Sequence, residues 1–526
     1  MSLYENSNLV NELKKLRNEI SQNQAKISQL NEVIEEHKHY LTINPKTGLP
    51  NHKMFIKDLE KFITLSHQRS SGFALIFIDL NKSLTNIEYS LDSFWSDAIL
   101  SKISFEIKEV LDDYYAELVM DDSSFAEPDK RYRIYHSERY EELMVIMPYI
   151  SSIDICKVAA KHIYLKISEP KRLEFNNDIL HLESFLALTM YPLHGNYKEE
   201  LLSNTDIALR FGISKNLPIV LYSESLGHRM REKKSLEKDL RNILDGNDSK
   251  SVNEQFILHY QPLVDNQGFI LGAEAVLRWQ HKEKGLLYPL KFMDMAEKNG
   301  HIVPIGYIVI EKSCAILRQW LDQKLITEDF YLSVNLSPKQ FKQNELVPKI
   351  SYLLRKYKIP SQFLRIEITE NAYFDNVFIA AEKIRELFDL GVKIMMDDCG
   401  APGNSIYNLR KLPIDIIEHG MIDYIKLDKS LIESIHRFKD RLFFKHSIEM
   451  AWKLDIGVVV EGLETIEQEM ILREMEEEFV NEGQKIEVIR QGFLFSRPQP
   501  HDDFIKLLKQ VNLVPPGLKN FIHELP

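Results

Sequence analysis

Apolar positions near the N-terminus recur at alternating spacings of four and three: Leu9, Leu13, Leu16, Ile20, Ile27, Leu30, Ile34 and Leu41, with Asn23 and His37 falling on the same seam. Lys, Glu, Gln and Asn fill the positions between. This is a heptad a/d pattern, and it predicts a coiled-coil helix over residues 1–43. A parallel dimer is its simplest form, with the polar Asn23 able to set the register. The alternative is a single amphipathic helix packed on its own domain. The pattern stops at Asn44-Pro45, where the residue before proline is disfavoured in helical conformation.

Beyond TGLPN (47–51) a helical pattern covers about 52–66. FALIFIDL (73–80), EELMVIMP (141–148) and ESFLALTMYP (183–192) are apolar runs of strand length. Helical patterns separate them, so residues 44–222 read as an α/β or α+β domain. A charged helical segment (223–245) follows, broken at GNDSK (246–250), so residues 223–250 are expected to link two domains. From 251 to 526 strands and helices alternate. The expected strands are FILHY (256–260), FILGAEAVLRW (269–279), YLSVNL (331–336), LRIEI (364–368), VKIMMD (392–397), YIKL (424–427), GVVVE (457–461) and RQGFLF (490–495). About eight strands in some 260 residues fit a TIM-type barrel. The chain is thus expected to be α/β in class: a coiled-coil helix, a smaller α/β domain and a C-terminal barrel.

Composition narrows the function classes. A formal net charge of −12 over 526 residues argues against a nucleic-acid polymer as the main partner, because that binding is driven by basic surface. Three scattered cysteines, Cys156, Cys314 and Cys399, fit neither a disulfide framework nor zinc spacing, which suits a reducing cytoplasm. Neither a signal peptide nor an apolar run long enough to span a bilayer is expected.

Most barrel strands carry a polar residue at or near their ends: Glu274, Asn335, Glu367, the adjacent Asp397 and Asp398, Lys426, Glu461 and Gln491. One such residue is usually a satisfied core group. A whole set on the face where barrel active sites sit is hard to explain by packing. Acids and amide oxygens with a single lysine form an oxygen-ligand set for hard cations such as Mg²⁺ or Mn²⁺. Asp397 could bridge two ions, with Asp398 holding the second. Two metals about 3.5–4 Å apart clamp an in-line phosphoryl displacement. These residues alone point to metal-dependent phosphoester hydrolysis.

GAEAVLRW (272–279), SVNLSPKQF (333–341), RIEITE (365–370), MMDDCG (395–400), YIKLDKSLI (424–432), VVVEGLET (458–465) and RQGFLFSRPQP (490–500) resemble, in order, the motifs of EAL domains, the phosphodiesterases that cut cyclic di-GMP to linear pGpG. The resemblance implies that Glu274, Asn335, Glu367 and Asp397 ligate one metal, and that Asp397, Asp398 and Glu461 serve the second. It implies that Lys426 orients or deprotonates the attacking water. Arg278 would contact ligand phosphate or guanine, Asp428 would lie beside the substrate and Gln491 would complete the site. Glu370 and Glu464 would support it. Two segments depart from the family pattern. DDCGAPGNS (397–405) replaces the usual DDFGTGYSS, and IIEHGMID (416–423) reads as an insertion. Residues 474–489 are longer than usual and read as a solvated acidic helix face.

The N-terminal half resembles GGDEF domains through TGLPN, FALIFIDL, MYPLHG (190–195) and NTDIALR (204–210). Its signature is replaced by Arg139-Tyr140-Glu141-Glu142-Leu143, and without the two glycines backbone cannot approach nucleotide phosphates. Asp79 and Glu141 could still hold a metal, but the inhibitory Arg-x-x-Asp site is absent. The half reads as a cyclase-dead structural or regulatory domain. The expectation is a bacterial, cytoplasmic homodimer, joined through the coiled coil and the barrel interface, that hydrolyses cyclic di-GMP with two Mg²⁺ or Mn²⁺ ions. The alternative is a receptor that binds the dinucleotide without turnover and signals to a protein partner.

Overall fold

The computed structural model describes residues 26, 42–69, 71–90, 93–121, 131–137, 142–150, 152–172, 179–246, 252–369, 377–401 and 411–515. The whole heptad seam, Arg139, Tyr140, Glu141, Glu370 and the segment 402–410 lie outside these residues. The chain divides into two compact units, Met1–Lys233 and Lys234–Pro526.

The first unit is built on a five-stranded mixed sheet. Its strands are β1 (Phe73–Asp79), β2 (Arg133–Ser137), β3 (Glu142–Pro148), β4 (Phe185–Tyr191) and β5 (Ile219–Leu221), in the order β2-β3-β1-β4-β5. Central β1 is antiparallel to β3 and β4, and β5 is parallel to β4. β1 is apolar throughout because both its faces are covered. Ala74, Ile76 and Ile78 pack with helices Asn81–Ser90, Ser93–Asp121 and Ile153–Ser168. Leu75 and Phe77 pack with helices His52–Arg69 and Lys198–Lys215. The apolar-run reading missed β2 and β5: the first is RIYHS, half polar, and the second has three residues. Cross-strand pairing sets Asp79 opposite Glu142.

The second unit is an eight-stranded closed barrel: β6 (Phe256–Val264), β7 (Ile270–His281), β8 (Tyr331–Leu336), β9 (Leu364–Thr369), β10 (Lys393–Cys399), β11 (Ile422–Leu427), β12 (Gly457–Val460) and β13 (Val488–Arg490). β7 through β13 pair in parallel, and β6 closes the barrel antiparallel to both β7 and β13. The barrel therefore departs from an all-parallel TIM barrel at its first strand.

Alternation of side chains along a strand then builds the site. Val458 and Val460 on β12, and Ile425 and Leu427 on β11, face the outer helices. Leu263, Tyr331, Met395, Val459 and Ile489 form an apolar layer inside the barrel, with Tyr424 packed against it. Asn335, Asp397 and Lys426 lie two or four residues beyond that layer on the same face of their strands, and Glu461 and Gln491 lie two residues beyond it, just past the ends of theirs.

Two expected boundaries move. The strand expected at 490–495 is Val488–Arg490, and 491–495 form a turn. A Cβ on Gly492 would sit 2.0 Å from the Leu463 carbonyl oxygen, so this turn packs backbone to backbone on the 461–464 turn. Leu494 N–H donates to the Leu463 carbonyl at 2.9 Å. Backbone contact of this kind leaves no hydropathy signal. The acidic stretch expected as one helix face over 474–489 is divided: helix Ile466–Asn481 ends early, and 488–490 enters the barrel wall. The expected insertion at 416–423 is a short helix, Ile414–Glu418, followed by a turn and the start of β11.

Candidate active site

Lys426 lies at the centre of the barrel mouth and is 1% exposed. Its Nζ is 2.7 Å from Glu461 Oε1, 2.8 Å from Glu367 Oε2, 3.3 Å from Glu274 Oε2 and 3.4 Å from Asp397 Oδ1. Burial works against the ammonium, but Asp397, Glu274, Glu367 and Glu461 together outweigh it and hold the pKa well above the ordinary lysine value. The four carboxylates thus favour the ammonium form of Lys426.

The opposite charges outnumber it. Burial pushes Glu461 up to about 8, against the pull of Lys426, and Asp397 and Glu274 raise it further. Glu367 is likewise raised by burial. Burial, Asp397 and Asp428 raise Asp398 to about 6. Glu274 is the exception. It is also buried, but Lys426, Gln491 and Asn335 hold it below the usual carboxylate range. Asn335 Nδ2 donates to its Oε1 at 2.6 Å, and Gln491 Nε2 donates to its Oε2 at 2.6 Å. Each carboxyl oxygen of Glu274 therefore has its own amide donor.

The Asp-Asp pair is separated by backbone geometry. Asp398 adopts a left-handed φ of 57°, and its N–H donates to Asp397 Oδ1 at 3.0 Å. This left-handed residue coincides with a register shift between β10 and β11 over Met396–Cys399. Cys399 is buried behind them, its Sγ donating to the Met396 carbonyl at 3.6 Å. Asp428 caps the helix Lys429–Glu433, accepting from Ser430 N–H at 3.0 Å, and stands close enough to Asp398 to raise it.

The remaining expected residues fall into three groups. Arg278 is 5% exposed, with its guanidinium over the Tyr288 ring at 4.8 Å and Nη1 donating to the Leu277 carbonyl at 2.9 Å. Glu464 lines a cleft of about 230 Å³ with Gln261, Glu274, Glu461 and Gln491. Glu370 lies outside the described residues. Gln261 was missed by the sequence reading. It faces Glu274 across the β6–β7 pair, and its Oε1 accepts from Gln491 Nε2 at 3.3 Å. Its signal was hidden because β6 runs antiparallel, so Gln261 reaches the site from mid-strand.

Among the described residues, no three His, Cys, Asp or Glu side chains stand together as a ready metal cage. The carboxylates turn to Lys426 instead. The donor set still fits hard divalent cations: its donors are oxygens, its negative charge exceeds what Lys426 neutralises, and Glu367 Oε1 is buried without a hydrogen-bond partner.

Comparisons with known proteins place this barrel. Residues 247–498 match the family model described as the EAL domain. "Cyclic di-GMP phosphodiesterase NbdA" of Pseudomonas aeruginosa is 28% identical over 86% of this chain and 52% of its own length. "Uncharacterized protein Mb1392c" of Mycobacterium bovis is 32% identical over 48% of this chain and 77% of its own. A solved structure titled "PaMucR Phosphodiesterase, c-di-GMP complex" is 31% identical, covering 51% of this chain and 99% of that one, with a TM-score of 0.44. The chain spans 37–63% of the length of the larger curated relatives it matches. By the family-model match and the Mycobacterium bovis relative, the chain belongs, through residues 247–498, to the EAL-domain family.

Proposed function

We propose that the barrel hydrolyses cyclic di-GMP to linear pGpG. The observation that carries this reading is the convergence of Glu274, Glu367, Asp397 and Glu461 on one buried ammonium, with Asp398 beside them. Glu274, Asn335, Glu367, Asp397, Asp398 and Glu461 are the residues to hold Mg²⁺ or Mn²⁺. When bound, such ions polarise a phosphoryl oxygen and make water a better nucleophile near neutral pH.

The chain's own groups supply the rest. Lys426 Nζ, ringed by four carboxylates, supplies a preorganised positive charge for the developing oxyanion and orients or deprotonates the attacking water. Asn335 and Gln491 hold the Glu274 carboxylate in one orientation. Arg278, buried and tethered over Tyr288, presents a guanidinium suited to phosphate or a guanine edge. Asp428 borders the site beside Asp398. The first unit and the N-terminal heptads serve regulation and homodimerisation in the bacterial cytoplasm, a reading supported by the missing cyclase signature and the heptad seam.

The test incubates purified full-length chain with cyclic di-GMP and Mg²⁺ or Mn²⁺ and follows pGpG by chromatography. Product with wild type, and none with Glu274→Ala, is the expected result. Absence of product with wild type overturns the enzyme reading. Cyclic di-GMP bound tightly on that same sample would make the barrel a receptor.

A further inference from the structure

The mouth of the barrel is not the only place where buried charges meet. Behind β13, on the side facing helix Ile466–Asn481, Arg490 and Glu469 are both fully buried. Arg490 Nε lies 3.3 Å from Glu469 Oε1, and Nη1 donates to Glu476 Oε1 at 2.8 Å. Nη2 donates to Glu476 Oε2, and Nη1 also reaches the Val488 carbonyl. Arg473 Nε closes the group from the same helix, 2.7 Å from Glu469 Oε1. The phosphodiesterase reading uses none of these residues.

A buried ion network adds little net stability compared with apolar packing, so its presence points to placement instead. The strand it holds needs placing. β13 has three residues; it makes three residue pairs with β12 and a single pair with β6. An apolar outer face on so short a strand would fix it only loosely along its axis. A bidentate guanidinium–carboxylate fork fixes both distance and direction. The next residue is Gln491. Its N–H donates to the Val460 carbonyl at 2.9 Å, its carbonyl accepts from Leu463 N–H at 3.2 Å, and its amide donates to Glu274. Because successive side chains alternate, what Arg490 fixes outside the wall sets where Gln491 reaches inside it.

We propose that Arg490, clamped by Glu469 and Glu476, is a positioning residue that sets the Gln491 amide against Glu274 in the barrel mouth. Its kinetic consequence rests on the phosphodiesterase reading, while its structural consequence does not.

The test uses the full chain carrying Arg490→Met, Glu469→Leu and Glu476→Gln together, which removes Arg490 with both carboxylates that clamp it and leaves only Arg473, whose side chain is 15% exposed. In its crystal structure Gln491 Nε2 is expected beyond hydrogen-bond reach of Glu274 Oε2. The expected kcat on cyclic di-GMP is at least tenfold lower, with KM within about twofold of wild type. In a Gln491→Ala background the same three substitutions are expected to change kcat less than about twofold, since the group they position is gone. A Gln491–Glu274 contact kept at its original distance overturns the proposal, as do kinetic effects that simply multiply. If wild type proves inactive, the phosphodiesterase reading fails and the crystallographic distance alone decides this one. Should the triple variant not fold, Arg490→Lys keeps the charge and loses the fork; a displaced Gln491 is expected there too, and an undisturbed one overturns the proposal.

Discussion

Lys426 ties the stability of the barrel mouth to the chemistry proposed for it. Four carboxylate side chains lie within 3.4 Å of its ammonium. Lys426→Met would leave them facing one another in a buried space, and removing one partner of a buried charge group costs about 3–5 kcal/mol. In EDTA the variant is expected to unfold at a lower temperature than wild type, read by calorimetry, and to form no pGpG in Mg²⁺. In the first unit, Glu142 is pushed up to about 7 from its ordinary 4.5 by burial, with Asp79 and Asp206 adding to it. The folded chain therefore holds a proton that the unfolded chain has released between those values, and stability falls as pH rises from about 4.5 through about 7. Glu142→Gln removes that loss. Its unfolding midpoint relative to wild type should become more favourable between pH 5 and pH 8; a pH-independent difference would contradict this placement.

At the scale of elements, strands carry Glu274, Asn335, Glu367, Asp397 and Lys426, and turns complete the mouth with Glu461 and Gln491. β12 ends at Val460, and Glu461 follows it on a turn held by Gly462. Gly462 has φ +72°, and a Cβ there would lie 2.3 Å from Lys429 Cβ. Gly462→Ala thus combines a left-handed strain of about 1–2 kcal/mol with a backbone-proximal clash. It is expected to displace Glu461, lowering pGpG formation more than tenfold, with the unfolding midpoint down by several degrees. Retained activity would show that the turn tolerates a shift. The neighbouring helix Ile466–Asn481 starts from a full capping box, in which Thr465 accepts from Gln468 N–H at 3.2 Å and Gln468 accepts in return. Thr465→Ala should cost about 1 kcal/mol, a loss readable in chemical denaturation of the barrel transition.

At the scale of the whole molecule, two compact units carry different kinds of information. The barrel gathers an acidic mouth around Lys426, while the first unit keeps a sheet with both faces covered. The heptad seam over 1–43, read from the sequence, is the proposed assembly element. Deleting residues 1–43 is expected to shift the full chain from dimer to monomer in light scattering. An unchanged dimer would assign assembly to the barrel instead.

Much of this was legible in the residues. The central strands of both units are dense apolar runs, because burial on two faces requires it. Glu274, Asn335, Glu367, Asp397, Lys426 and Glu461 stand out as polar residues in or next to apolar strands, where charge is costly without a purpose. Their spacing was enough to suggest a shared oxygen-rich mouth. Tertiary structure alone decided the rest. β6 runs antiparallel, which brings Gln261 to the mouth from mid-strand. Gln491 stands on a turn, because Gly492 packs backbone against backbone. Arg490 and Glu469, charged residues that hydropathy assigns to the surface, are fully buried because they neutralise each other across a strand and a helix 21 residues apart in sequence. Local pattern records which residues want burial. It does not record which distant partner makes the burial of a charge possible.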